Sequence, residues 1–451
     1  MSHNNTLEFL AGASSALQGR ARVPGDKSIS HRAIMLGAIA HGTTHITGFL
    51  EGEDSLCTMH AFRAMGVAIE GPEQGRVTVY GVGLKGLKKP HHALDCGNSG
   101  TAMRLLAGLL AGQDFASTLV GDSSLSKRPM KRVIDPIGQM GAKITASTGG
   151  RPPLHIPGNT ALHALHYQLP MASAQVKSSV LLAGLYANGQ TVVTEPAVTR
   201  DHTERMLRAF GVQVVSEGRT VRLLGGQSLH ACNINVPSDI SSAAFFMVAA
   251  SIAGQADITL EHVGMNPTRT GVIDILRLMG AKIDVFNARE VGGEPVADLR
   301  VRNAPLKGIV IPEELVPLAI DEFPVLLVAA ANAQGQTVLT GAEELRVKES
   351  DRIALMAQGL QACGVQAKPT PDGMVIEGLG HEPGLRYEAT HIDCQGDHRI
   401  AMAFVVAALR ARGVMRIQGA QTVATSFPGF VEQAAGLGMQ VRAHQPPGGP
   451  K

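Results

Sequence analysis

The 451-residue chain contains no tryptophan and only four tyrosines. Aromatic residues make up 4% of it, so its cores must be filled by aliphatic and small side chains. Charged residues are also sparse, at 17%, and nearly cancel to a formal net charge of +2. Without an overall field, neither nucleic acid nor a membrane surface is an expected partner, and any recognition of anions has to be local. The cysteines are Cys57, Cys96, Cys232, Cys363 and Cys394, odd in number and scattered. No C-x-x-C pair occurs among them, which fits reduced thiols and a cytoplasmic location. No apolar run reaches the ~18 residues of a membrane-spanning helix. The opening stretch MSHNNTLEFLAGASSALQGR lacks the basic start and apolar centre of a secretory signal.

Familiar nucleotide and metal signatures are missing too. Gly81-Val82-Gly83-Leu84-Lys85-Gly86 has the G-x-G-x-x-G spacing, but Lys88, Lys89, Pro90 and two histidines follow where a helix should begin. A dinucleotide fold is therefore rejected, and the absence of G-x-x-x-x-G-K before Ser or Thr argues against P-loop phosphoryl transfer. His391, Asp393, Cys394 and His398 are the nearest approach to a metal-binding group. They have no second matching cluster, so no metal site is expected.

What is abundant is apolar residues, at 44%, and glycine, with 52. Length alone suggests about three domains, but a repeat divides the chain differently. An apolar residue, Gly and a β-rich segment recur at Met65-Gly66, Met140-Gly141, Phe210-Gly211, Met279-Gly280, Cys363-Gly364 and Leu437-Gly438. Each follows a helix-like run, so each Gly reads as a helix C-cap leading into a strand. A second pattern interleaves with the first: a short polar opening, then an apolar helix-length run. Its members open at GDKSISHR, CGNSGTAMR, MASAQVKSS, PSDISSAA, IDEFPVLL and GDHRIAMA. Ser, Asp, Asn and Gly are the expected residues at such helix starts.

Six copies of one unit, each with two helices and several strands, predict an α/β protein of two similar three-unit domains. The division falls near Val236-Pro237-Ser238. Residues 1–24 would join residues 238–451 in domain I, and residues 25–237 would form domain II. The chain then crosses twice, near Arg22–Gly25 and near Pro237, as a hinge would require.

Helix starts expose unpaired N–H groups and a partial positive charge, which suits phosphate and carboxylate. Lys27, Ser28 and Arg32 stand at one start, Gly100 at another, Ser173-Ala174-Gln175 at a third and Arg399 at a fourth. Arg128, fixed before Pro129, is an extended loop cation. In EELRVKESDR, a helix would set Lys348 and Arg352 on one face beside Glu349, an acid between two cations.

Taken together, GDKSISHR, GNSGTAMR, KRPM, SAQVKS, MNPTRTG, RVKESDR and DHRIAMAF closely resemble the 5-enolpyruvylshikimate-3-phosphate synthase family from about Arg22 to Phe430. SAQVKS and TRDHTE look like its class II bacterial branch. The resemblance implies two domains of three βαβαββ units, each a helix-cored, sheet-coated barrel, joined by a double-crossover hinge and closing on substrate. It implies transfer of the enolpyruvyl group of phosphoenolpyruvate to the 5-hydroxyl of shikimate 3-phosphate on the route to chorismate, with phosphate released. By motif, Lys27, Ser28, Arg32, Ser173, Ala174, Gln175, Arg200, Asp321 and Lys348 should hold shikimate 3-phosphate. Lys27, Gly100, Arg128, Gln175, Arg352 and Arg399 should hold phosphoenolpyruvate. Glu349 is expected to donate the proton and Asp321 to act as base, with Lys27 near both. No metal or organic cofactor is expected, since a carbon–oxygen bond breaks and cations hold the leaving phosphate. A monomer in the cytoplasm is expected, and glyphosate is expected to compete for the phosphoenolpyruvate pocket. Two departures stand out: the other branch carries an aromatic near Thr199-Arg200, and a lysine where this chain has Thr425.

Two anions in one site repel. Unit charges ~6 Å apart oppose each other by roughly 3 kcal/mol at an effective dielectric of 20, so the cations are needed to offset this. The nearest alternative is the enolpyruvyl transferase that acts on UDP-N-acetylglucosamine. It carries a catalytic cysteine in its first domain, whereas this chain has none between Cys96 and Cys232. A non-catalytic anion-binding relative is the other alternative, and retention of Asp321 and Glu349 argues against it.

Overall fold

A computed structural model describes residues 7–158, 161–380, 384 and 387–446. Residues 1–6 of the opening stretch and 447–451 at the end of domain I lie outside the described residues. The helices are α1 Lys27–Ile39, α2 Glu53–Ala64, α3 Gly100–Ala111, α4 Lys131–Gln139, α5 Ala174–Gly184 and α6 His202–Ala209. They continue as α7 Ile240–Ile252, α8 Gly271–Leu278, α9 Phe323–Ala331, α10 Arg352–Ala362, α11 His398–Ala407 and α12 Phe430–Gly436.

The even-numbered helices all stop in the same way. Gly66, Gly141, Gly211, Gly280, Gly364 and Gly438 follow them with φ between 84° and 108°. In each case the next residue donates its N–H to a carbonyl five positions back, as Val67 does to Phe62 and Met439 to Ala434. This is the Schellman closure, and a residue with a Cβ would be strained at the glycine.

The odd-numbered helices are buried nearly all round; α7, ISSAAFFMVAASI, has every residue buried. Small side chains let them approach closely. A β-carbon on Gly108 of α3 would fall 2.0 Å from the Ser179 carbonyl oxygen of α5. Five of the six are capped by a side chain: Asp26, Ser99, Ser173, Asp239 and Asp397 accept backbone N–H bonds at their starts. Glu322 does not cap α9, where Pro324 in the first turn removes one N–H donor.

The chain divides into two compact units. One comprises Met1–Pro24, Ser238–Arg289 and Pro295–Lys451; the other comprises Gly25–Pro237 and Glu290–Glu294. In the first, strand Glu8–Gly12 lies between Met415–Gln418 and Gln440–His444, antiparallel to both. Strand Ala16–Ala21 runs parallel to Gln255–Gly264. α7, α9 and α11 pack on one another in its core, with the sheets outside. The second unit has three four-stranded sheets around α1, α3 and α5. In each, an antiparallel set of three strands gains a short parallel fourth, such as Leu94–Asp95 beside Ser117–Val120. The five residues 290–294 have no counterpart in the repeat-based division, because the turn Gly292-Gly293 of a β-hairpin carries no periodicity.

Candidate active site

In the second unit, the starts of α1, α3 and α5 are linked side chain to side chain. His31 of α1 faces Ser99, the cap of α3, at 3.4 Å. Gln175 of α5 donates to Thr101 of α3 at 3.0 Å and accepts from Arg104 at 2.5 Å. Arg32 donates to Ser178 of α5 at 2.9 Å, to Thr203 of α6 at 2.7 Å and to the Ser28 carbonyl at 2.9 Å. One end of the helical core therefore gathers Lys27, Ser28, Arg32, Gly100, Ser173, Ala174 and Gln175. Lys27 is held by Asp54 at 3.0 Å. Ser173 caps α5, leaving Ala174 as its first residue.

Arg128 joins the same end. Its backbone is extended, with φ −80° and ψ 137°, as Pro129 requires. Its guanidinium donates to Asn98 at 2.7 Å and Ser124 at 3.3 Å. A β-carbon on Gly100 would lie 2.8 Å from Arg104 and 3.2 Å from Arg128. Gly100 therefore leaves a gap over a helix start between two guanidinium groups. His31 is wholly buried; burial, and then Lys27 and Arg32, push its pKa well below the ordinary value, so it stays neutral.

Arg200 follows a buried ionic knot. Lys177 lies 2.6 Å from Glu195 and 2.8 Å from Glu204, all three nearly inaccessible to solvent. Glu195 in turn accepts the Thr199 N–H and hydroxyl, both at 2.7 Å. Burial works against the charge on Lys177, but the two carboxylates raise its pKa overall.

In the first unit, the acid–cation cluster forms in a different way from the helical face expected. Glu343–Val347 is a 3-10 turn, Lys348 has ψ −144°, and α10 begins only at Arg352. Asp351 intervenes as N-cap, accepting the Ala354 N–H at 2.9 Å, and that bond competes with extending the helix backwards. Lys348 and Arg352 nevertheless meet at Asp321, at 3.3 and 3.4 Å. Arg352 also reaches Glu349 at 2.5 Å and Asp397 at 2.9 Å. Burial opposes its charge, yet Asp397, Glu349 and Asp321 hold its pKa above the ordinary value. Arg399 lies in the first turn of α11 and is 6% exposed. Among the described residues, none hydrogen-bonds or ion-pairs with its side chain.

Several members of these clusters were not singled out from sequence. Arg104 sits one helical turn beyond Gly100, a spacing that could have drawn attention to it. Asp239, Ser241 and Glu322 surround Arg269 of MNPTRTG, with Arg269 donating to Asp239 at 3.1 Å and to Ser241 at 2.7 Å. Thr425 is buried and donates to the Thr422 carbonyl, so it brings no cation. Cys394 donates to the Gln418 carbonyl. Among the described residues, no group of three or more His, Cys, Asp or Glu is arranged to hold a metal ion.

Cation-bearing helix ends on helix-cored, sheet-wrapped units are the architecture of an enolpyruvyl transferase. NikO of Streptomyces tendae, an enolpyruvyl transferase, shares the fold at TM-score 0.78 and 18% identity, over 98% of this chain and all of that one. More specifically, the chain belongs to the EPSP synthase (3-phosphoshikimate 1-carboxyvinyltransferase) family, whose pattern it matches over residues 12–434. It is 66% identical to the 3-phosphoshikimate 1-carboxyvinyltransferase of Alkalilimnicola ehrlichii over 433 residues, 96% of each chain. It is 61% identical to that of Hydrogenovibrio crunogenus over 446 residues, 98% and 99% of the two chains. The EPSP synthase structure from Acinetobacter baumannii superposes at TM-score 0.86 with 57% identity, over 98% of this chain and all of that one. The protein is thus an enzyme that moves the enolpyruvyl group of phosphoenolpyruvate to the 5-hydroxyl of shikimate 3-phosphate. The UDP-N-acetylglucosamine enzyme is only a distant relation.

Proposed function

We propose the following division of labour among the residues. Lys27, Ser28, Arg32, Ser173, Ala174, Gln175 and Arg200 of the second unit, with Asp321 and Lys348 of the first, bind shikimate 3-phosphate. Gly100, Arg128, Lys27 and Gln175, with Arg352 and Arg399, bind phosphoenolpyruvate. Glu349 protonates the methylene carbon of phosphoenolpyruvate. Asp321 takes the proton of the 5-hydroxyl as its oxygen bonds to the neighbouring carbon. The tetrahedral adduct then expels phosphate, which carries away the proton gained by Asp321. Glu349 recovers its proton from the methyl group as the double bond reforms, so both carboxylates end as they began.

The observation that carries this reading is Arg399. A guanidinium that is 6% exposed pays a desolvation cost that a partner normally offsets. With no partner among the described residues, it is suited to receive an anion, and its fork matches carboxylate or phosphate. Fixed cations of this kind stabilise charge developing on the departing phosphate.

The enzyme is further proposed to act as a monomer in the cytoplasm. In support, its five cysteines are free thiols, and among the described residues no helix is long and apolar enough to cross a membrane. The test of the residue assignment is steady-state kinetics of Arg399→Ala with both substrates. The KM for phosphoenolpyruvate should rise at least tenfold while that for shikimate 3-phosphate changes little. Equal KM values in variant and wild type would remove Arg399 from the site.

A further inference from the structure

The run Lys88-Lys89-Pro90-His91-His92 has no part in the reaction described above. Pro90 is buried and anchors it, while Lys89, His91 and His92 stay exposed. They form one wall of a cleft of about 450 Å³ in the second unit. Lys143 and His155 supply cationic or imidazole groups from other elements lining it. His155 is the cross-strand partner of both Thr118 and Thr145, so the three form a polar row across the sheet. Thr118 holds the His155 ring at 3.0 Å. Ser117, also in the lining, has a buried hydroxyl with no partner among the described residues.

The charge is one-sided. Among the described residues, no carboxylate lines the cleft, and neither Lys89 nor Lys143 forms an ion pair. The place is also separate from the substrate-handling helix ends. Ala116–Thr118 follow the carboxyl end of α3, about 18 Å of helix from Gly100. Volumes of this size are usual for small-ligand sites, and a concavity lined by one sign of charge concentrates the opposite ion.

We propose that this cleft is a second anion site, built for a small molecule carrying linked phosphates. Lys89 with the two histidines on one wall, and Lys143 with His155 elsewhere in the lining, can be bridged by a di- or triphosphate chain. A single phosphate would satisfy only part of the set. Among the described residues, no aromatic ring other than the imidazoles lines the cleft, so the phosphates, and not an attached base, should provide recognition.

The test is calorimetric titration of the full-length enzyme, saturated with shikimate 3-phosphate, with inorganic triphosphate and in parallel with ATP. Wild type should bind both, with affinities within threefold of each other. Lys89→Glu/Lys143→Glu should weaken both at least tenfold while kcat and both KM values stay within twofold. No binding by wild type, or equal binding by the double variant, would overturn the proposal. Binding of ATP without inorganic triphosphate would also overturn it, by assigning recognition to the base. Should the double variant fold poorly, the wild-type histidine ring signals decide, assigned by His91→Gln, His92→Gln and His155→Gln. Triphosphate must shift all three, and unmoved signals would dismiss the site.

Discussion

Arg352 and Asp397 are joined at 2.9 Å with both side chains closed off from solvent, 1% and 0% exposed. The same carboxylate accepts the Ser350 hydroxyl at 2.8 Å and caps α11 through the Arg399 N–H at 3.0 Å. One buried acid thus ties the start of α10 to the start of α11, and so fixes Arg352 and Arg399 relative to each other. Burial, the largest single influence, raises the pKa of Asp397, but the charge and hydrogen bond of Arg352 together with His398 bring the net shift downward.

Removing Asp397 should therefore be costly. Asp397→Ala leaves Arg352 with less compensation in a dry site and uncaps α11, a loss of about 3–5 kcal/mol by analogy with other buried pairs. Urea unfolding of variant and wild type measures it. A loss below about 1 kcal/mol would show that Glu349 and Asp321 alone satisfy Arg352.

Gly100→Ala should act on substrate and not on the fold. Its β-carbon would press on the ends of Arg104 and Arg128, both flexible side chains, at 2.8 and 3.2 Å. Stability should change by less than about 1 kcal/mol. The KM for phosphoenolpyruvate and the inhibition constant of glyphosate should both rise, by about tenfold or more. An unchanged inhibition constant would mean that the gap over α3 is not used.

The two-helix repeat was legible because its marks are local. A glycine forced to positive φ closes each even-numbered helix, and short polar residues open most odd-numbered ones. The cation-bearing helix starts were legible for the same reason. The arrangement around Lys348 was not: capping by Asp351 competes with the helical periodicity that would have aligned Lys348 with Arg352. The roles of Asp397 and Lys177 were equally hidden, since their partners Arg352 and Glu195 are 45 and 18 residues away and no local pattern ties them together.

Lys177 gives a prediction about Arg200. It holds Glu195, and Glu195 holds Thr199, so the knot positions the residue that follows. Lys177→Met should raise the KM for shikimate 3-phosphate about tenfold and leave that for phosphoenolpyruvate nearly unchanged. Lys177→Arg, keeping the charge, should recover most of the loss. Equal effects on both KM values would mark a general structural role instead.

His31 predicts a pH dependence of stability. Its folded pKa lies below its unfolded value, so the fold takes up its proton less readily than the unfolded chain. Its contribution is complete above the unfolded pKa of ~6.5 and is lost as pH falls toward the folded pKa, by up to about 1.4 kcal/mol per pH unit. Denaturant melts at pH 7.5, 6 and 5 should show wild type losing more stability than His31→Gln over that range. Parallel losses would remove His31 as the source.

Glu349 offers the most direct examination of the chemistry. Phosphate release by Glu349→Gln, at saturating shikimate 3-phosphate and phosphoenolpyruvate, should fall by several orders of magnitude, while calorimetry shows shikimate 3-phosphate bound within a fewfold of wild-type affinity. Turnover close to wild type would contradict the assignment of Glu349 as the group that protonates the methylene carbon.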